Sequence, residues 1–236
     1  IFVDTIDKNY MPKDTIILNF RSSLAKPTNE ELQKAINQHF SLDEPFEGGS
    51  VNPFPKPKDF LAFPWRQLSA EQVGSGTWKS TDFSNEAVLR EALPLFEGKP
   101  AYFNHEQNAK KAIGTLGAAK WTNTYINEKG LPVPAGIDAP FIIDSVLFGH
   151  LCRTLNSPTS PIQCCSVAIE FEYEPSHIFE NPNDFLWHVG ETIDGKEVTR
   201  IVTKIISISE SSLVHEGAAP HSRKTDENGK LVTLPY

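Results

Sequence analysis

The clearest pattern in the chain is an alternation past its middle. Between Ile162 and Tyr173, the apolar residues Val167, Ile169, Phe171 and Tyr173 alternate with Ser166, Ala168, Glu170 and Glu172. A period of two belongs to an extended strand, so this segment predicts a strand with one apolar face. Ser166 falls on the opposite, more polar face. A further strand is expected from about Val198 to Ile208. Pro100 to His105 also reads as a strand, ending in Tyr102-Phe103-Asn104-His105-Glu106. Ile113 to Trp121 is apolar but broken by glycine, which suits a bent strand.

Helical spacing occurs in three places. Ser84 is placed to cap a helix carrying Val88, Leu89, Ala92 and Leu93, with Gly98 as its stop. Asp144 to Leu155 sets Leu147, Phe148, Leu151 and Leu155 on one stripe, with Asp144 as cap. The turn-rich run Asn156 to Pro161 separates that helix from the alternating strand. Near the start, Thr28 and Glu31 form a capping box before Leu32, Ala35, Ile36 and Phe40, predicting a helix over about 29–40. Ile16, Ile17, Leu18 and Phe20 are strand-like.

Pro45, Pro53, Pro55, Pro57 and Pro64, with Gly48 and Gly49, mark a linker, because proline lacks an amide donor and fixes its own backbone. Leu61 to Leu68 then opens the main domain. The tail after Pro220 is polar and is expected to fray. The division that follows is an N-terminal extension and linker over 1–58, a main domain over 59–222 and a C-terminal tail over 223–236. Strands spread through the chain with a few helices between them predict an α+β domain built on a β-barrel.

Composition narrows the function classes. A charged fraction of 22% beside 39% hydrophobic residues fits a globular chain with a core. No apolar run approaches the roughly 20 residues of a membrane helix. The formal net charge of -8, with no basic block, argues against nucleic acid as a partner. Cys152, Cys164 and Cys165 are an odd set with two adjacent members, a poor disulfide framework that points to a reducing compartment such as cytoplasm.

The chemistry worth weighing is hydrolytic. A serine hydroxyl is a weak nucleophile until an imidazole takes its proton, and the imidazole needs a partner that fixes its tautomer. His105 at a strand end and Ser166 on a polar strand face supply the first two parts. Among seven histidines and many serines, these positions alone do not single out a site. Cys164, on the face of Ser166, is an alternative nucleophile, whereas Cys165 belongs to the apolar face. His150, Cys152, Cys164 and Cys165 match no familiar zinc spacing, and His150 and Cys152 fall on different faces of the expected helix. Gly74-Ser75-Gly76 lacks the Lys-Ser/Thr of a phosphate cradle, and Asp138, Asp144 and Asp194 lack calcium-loop spacing. Trp65, Trp78, Trp121 and Trp187 read as core or interface aromatics. No cofactor or metal is implied.

Three motifs carry a resemblance. Lys99-Pro100-Ala101-Tyr102-Phe103-Asn104-His105-Glu106, followed by Ile113-Gly114-Thr115, resembles the histidine motif of tailed-phage prohead maturation proteases. Cys165-Ser166-Val167-Ala168-Ile169-Glu170-Phe171 resembles their nucleophile strand, and a helix and short loop precede it here as in that family. Glu210-Ser211-Ser212-Leu213-Val214, with Gly217-Ala218-Ala219-Pro220, resembles their closing motif of an acid, a Ser-Leu-Val strand and a small-residue-Pro turn. The three occur in family order and cover roughly residues 60 to 222. Ala168 departs from the pattern, which commonly has Gly there.

The resemblance implies a fold related to herpesvirus assemblin, a β-barrel core with flanking helices. It implies a serine endopeptidase with Ser166 as nucleophile, His105 as general base and Glu210 as the third member. Glu170, Glu172 and Glu191 are competing acids, and His177 or His188 would take that place if the chain followed the herpesvirus relatives, which use a second histidine. Backbone amides are expected to form the oxyanion hole, with Arg200 as a candidate helper. The implied substrates are scaffold segments, the N-terminal part of the major capsid protein and the protease itself. The implied location is the assembling prohead in the host cytoplasm. Self-cleavage would account for a chain that begins at Ile1. Homo-oligomer formation is left open. The alternative is a catalytically silent head protein that keeps the fold and uses residues 1–50 and the proline-rich linker as a docking arm.

Overall fold

The computed structural model describes residues 56–232, apart from 76–77, 109–110, 158–159, 216 and 227. The expected strand at 16–20, the capping box Thr28–Glu31 and the helix over 29–40 lie outside the described residues.

The described chain is α+β, with many strands and few helices. In order come β1 (Phe60–Phe63), β2 (Arg66–Ser69), β3 (Thr81–Asp82), α1 (Glu86–Glu91), β4 (Pro100–Phe103), β5 (Gly114–Leu116) and β6 (Lys120–Thr122). Then follow β7 (Tyr125–Ile126), β8 (Pro132–Val133), β9 (Gly136–Asp138), β10 (Phe141–Asp144) and α2 (Gly149–Asn156). The last elements are β11 (Cys164–Pro175), α3 (Asp184–His188), β12 (Thr192–Ile193), β13 (Lys196–Glu197) and β14 (Arg200–Val214).

One sheet runs β1-β10-β5-β4-β14-β11, with β3 also on β14. A second runs β2-β9-β6. The two are joined by three bent strands, because β1 continues into β2, β5 into β6 and β9 into β10. Pro64 and Pro140 stand at two of these bends, where an amide donor would be lost from a continuous ladder. Gly117 stands at the third and donates its N–H to Pro140 O at 2.9 Å. The bent strand expected over Ile113–Trp121 is therefore β5 and β6.

The expected closed barrel is not formed among the described residues. The main sheet is an open path ending at β1 and β11. The gap between β11 and β2 is spanned by residues 222–225 through isolated bridges, Cys164 to Arg223 and Trp65 to Lys224. Cys165 N–H donates to Ser222 O at 3.0 Å, and Arg66 N–H to Arg223 O at 2.8 Å. Ser222 and Thr225 are buried, so the tail does not fray at its start as its polarity suggested.

The core lies between the sheets and the helices. Trp65 packs edge-on against Phe141 at 5.6 Å between centroids. Phe171, on the predicted apolar face of β11, meets Trp78 at 5.5 Å and Phe83 at 5.6 Å. Burying each such aromatic contributes about 1.5–3 kcal/mol. Trp121 packs against the core, whereas Trp187 is exposed and is not a core aromatic. Within the core, the Arg66 guanidinium meets Asp138 and donates to Pro134 O at 2.9 Å, while Thr122 Oγ1 donates to Asp138. Pairing offsets part of the cost of burying these charges, although Arg66 Nη2 is buried without a partner among the described residues.

The helices differ from expectation at their starts. Asn85, not Ser84, caps α1, its Oδ1 accepting from Ala87 N–H at 3.1 Å. Leu89 and Ala92 are buried, and Gly98 ends the following turn at φ +74°. Asp144 ends β10 instead of opening a helix. Its Oδ1 accepts from Val146 N–H at 2.9 Å and Leu147 N–H at 3.0 Å, which holds a turn, and α2 begins only at Gly149. The side-chain hydrogen bonds that mark an N-cap here serve a strand-to-helix corner.

Gly114 lies between β4 and β10, and a Cβ built on it would fall 1.9 Å from Ile142 O. Gly149 opens α2 with nothing within 4 Å of its Cβ position. Urea unfolding should show Gly114→Ala destabilised by about 1–3 kcal/mol. Gly149→Ala should be neutral or stabilising by up to about 1 kcal/mol.

Candidate active site

The fifteen-residue strand β14 organises the site. It pairs antiparallel with β11 on one side and parallel with β4 on the other. The register sets Ser212 opposite Ser166 of β11 and beside Tyr102 of β4. Directly opposed residues present their side chains on one face, and residues two apart on a strand do the same. Ser166, Ser212, Ala168 and Glu210 therefore share a face. The neighbouring residues point the other way: Cys165 Sγ donates to Arg66 O at 3.2 Å, and Ser211 Oγ donates to Gln67 Oε1 at 2.7 Å, both buried.

His105 reaches this face from the turn that ends β4. Asn104 and His105 both adopt left-handed backbone, at φ +50° and +58°. Two successive non-glycine residues there are uncommon, and such strain persists only where the surroundings fix it. Here Asn104 N–H donates to Leu213 O at 3.0 Å, and His105 N–H donates to Ser212 Oγ at 3.1 Å. The turn swings the imidazole onto Glu210, with Nδ1 2.6 Å from Oε1.

Glu210 is 1% exposed, so its carboxylate must be satisfied inside the protein. His105 meets one oxygen, and Ser212 Oγ donates to the other at 2.6 Å. The His105 side chain is 43% exposed, which leaves Nε2 as the free ring nitrogen. The hydrogen bond to Glu210 raises the His105 pKa above its ordinary 6.5; burial lowers it, and the Glu210 charge adds to the rise.

The structure thus joins His105 to Glu210 and sets both over the face that carries half-buried Ser166. No hydrogen bond links Ser166 Oγ to His105 among the described residues. Nucleophile–base contacts are commonly long before substrate arrives. In this arrangement an imidazole held by an acid on one nitrogen can accept a proton on the other.

The competing residues are placed elsewhere. Glu170 accepts from Ser207 Oγ at 2.8 Å. Glu191 pairs with His188 at 2.7 Å, and His177 Nδ1 lies 2.8 Å from Ser176 Oγ. Glu172 lies opposite Lys204 of β14, towards the end of β11 away from Ser166. Arg200 pairs with Pro175 at that far end, on the order of 30 Å along the strand from Ser166, so it cannot help an oxyanion there. Burial raises the Cys165 thiol well above its usual range, which suits an inert core cysteine. Cys152, Cys164 and Cys165 are all free and buried. Among the described residues no group of three or more His, Cys, Asp or Glu is arranged to hold a metal ion. No helix among them is long and apolar enough to cross a membrane. Ser212 escaped the sequence analysis as a participant because the last strand was expected to end near Ile208, so the period of two that sets Ser212 on the face of Glu210 was not extended to it.

Comparison with protein-family models, with curated proteins and with solved structures finds no match for the chain.

An NMR titration should place the His105 pKa above that of an unperturbed histidine and bring it down in Glu210→Gln. A raised folded-state pKa contributes stability that is fully present below the unfolded value and is lost as pH rises through the folded one. Unfolding measured from pH 5 to 9 should therefore show a stability component that fades across the His105 titration in wild type and is missing in Glu210→Gln.

Proposed function

We propose that the chain is a serine endopeptidase of the phage prohead-maturation type. The observation that carries this reading is the His105–Glu210 pair, held at 2.6 Å over the strand face that presents Ser166. In this mechanism Ser166 Oγ attacks a peptide carbonyl while His105 Nε2 takes its proton. Glu210 holds the Nδ1–H tautomer and stabilises the imidazolium. His105 then gives the proton to the leaving amine, and water, activated by the same nitrogen, releases the acyl group.

The sheet offers a place for an extended substrate. β11 ends the sheet, and among the described residues the backbone hydrogen bonds to its outer edge lie at its start, where Ser222 O accepts the Cys165 amide. Amides two apart share an edge, so that of Val167 points outward as well. Pro220 lacks the N–H that would extend the pairing in that direction. A peptide added along this edge would bring a carbonyl to Ser166, a recognised mode of peptide capture.

The finer fold of this reading is an open, assemblin-like sheet arrangement in which residues 222–225 bridge the gap between β11 and β2. The substrates are scaffold and capsid-protein segments and the protease itself, inside a prohead in the host cytoplasm. A second reading, a silent structural head protein, draws on one observation, the missing hydrogen bond between Ser166 and His105. Its mark would be a fixed copy number in mature virions.

Treatment with a fluorophosphonate serine probe, followed by intact-mass analysis, should give one adduct on wild type and none on Ser166→Ala. His105→Ala should label at least about a hundredfold more slowly, the size of effect expected for a general base. The wild-type rate should rise with pH through the His105 titration. Folded wild type that takes no label favours the silent reading.

A further inference from the structure

We propose that Ser212 is a positioning residue that fixes the tautomer and orientation of His105, an inference whose kinetic part rests on the serine-protease reading. Ser212 is 0% exposed and lies between the two strands that bring the nucleophile and the base. A hydroxyl has one proton and two lone pairs, so it can donate and accept at once. Ser212 does both: it donates to Glu210 Oε2 at 2.6 Å and accepts from His105 N–H at 3.1 Å.

The two bonds act on different parts of the same histidine. The first occupies one carboxylate oxygen and stops Glu210 from rotating, so Oε1 stays aimed at Nδ1. The second ties down the backbone of His105, whose left-handed conformation at φ +58° has no glycine to make it easy. A hydroxyl that only satisfied its own burial would need one partner, and that partner would not have to be the acid. Ser211 makes the contrast, since its hydroxyl is spent on Gln67 in the core. With the carboxylate and the turn both fixed, neutral His105 carries its proton on Nδ1 and presents Nε2 as the base.

The test pairs imidazole ¹⁵N NMR with fluorophosphonate labelling, in wild type, Ser212→Ala and Ser212→Cys. The cysteine keeps the shape with a somewhat larger atom but is a weak donor and acceptor, and stands in if the alanine variant does not fold. Wild type should hold neutral His105 as the Nδ1–H tautomer. Each folded variant should shift it towards Nε2–H and label roughly 10- to 100-fold more slowly, the loss expected from a displaced catalytic group. An Nδ1–H tautomer retained in a folded variant overturns the proposal, whatever the labelling rate. A tautomer lost in the variants of a protein that never labels supports the role of Ser212 and counts against the protease reading instead.

Discussion

The pairing of β11 with β14 is the constraint on which the rest depends. All twelve residues of β11 have partners on β14. A slip of one residue would turn Ser166 into the core and Cys165 outward, because side chains alternate faces. The core side resists that slip. Cys165 bonds the Arg66 carbonyl, Ser211 bonds Gln67, and Ser222 accepts the Cys165 amide. Three register shifts beyond Ala168 confine irregularity to the end away from the site. The same strand then recruits β4 in parallel, and the turn after β4 delivers His105. The order His, Ser, acid along the chain becomes one cluster because β14 lies between the strands that carry the first two.

Burial of the acid is the second constraint. A carboxylate at 1% exposure is tolerable only with strong partners, and the site supplies an imidazole and a hydroxyl. The half-exposed histidine is thereby held from its inner side and left open on its outer side. The elements that set this geometry are local and short: two left-handed residues, one serine and one bend. The core chemistry is kept apart from it, since Arg66 and Thr122 both bond Asp138 on the second sheet.

Much of this was legible where a single periodicity governs the backbone. The alternation over 162–173 located β11 and assigned Ser166 and Cys165 to opposite faces, and the apolar stripe at 88–93 located α1. The motif resemblance singled out Glu210, which the structure joins to His105 and which no periodicity could separate from Glu170 or Glu172. What escaped were features set by distant contacts. Asp144 has the chemistry of a cap but bonds a turn after β10. The polarity of 221–226 hid a segment whose backbone bridges β11 and β2. Arg200 was eligible by type and excluded by its place at the far end of β14. Ser212 joined the face of Glu210 only once β14 proved to run on to Val214, past the expected end near Ile208.

The proposed catalysis requires that Ser166 be a nucleophile served by His105. The most direct measurement is a crystal structure of the protein after exposure to diisopropyl fluorophosphate. The account predicts a covalent bond from phosphorus to Ser166 Oγ, with His105 Nε2 within hydrogen-bond reach of the adduct and Nδ1 still on Glu210. An unmodified Ser166 in well-ordered protein, or a modified one with His105 turned away, would contradict it.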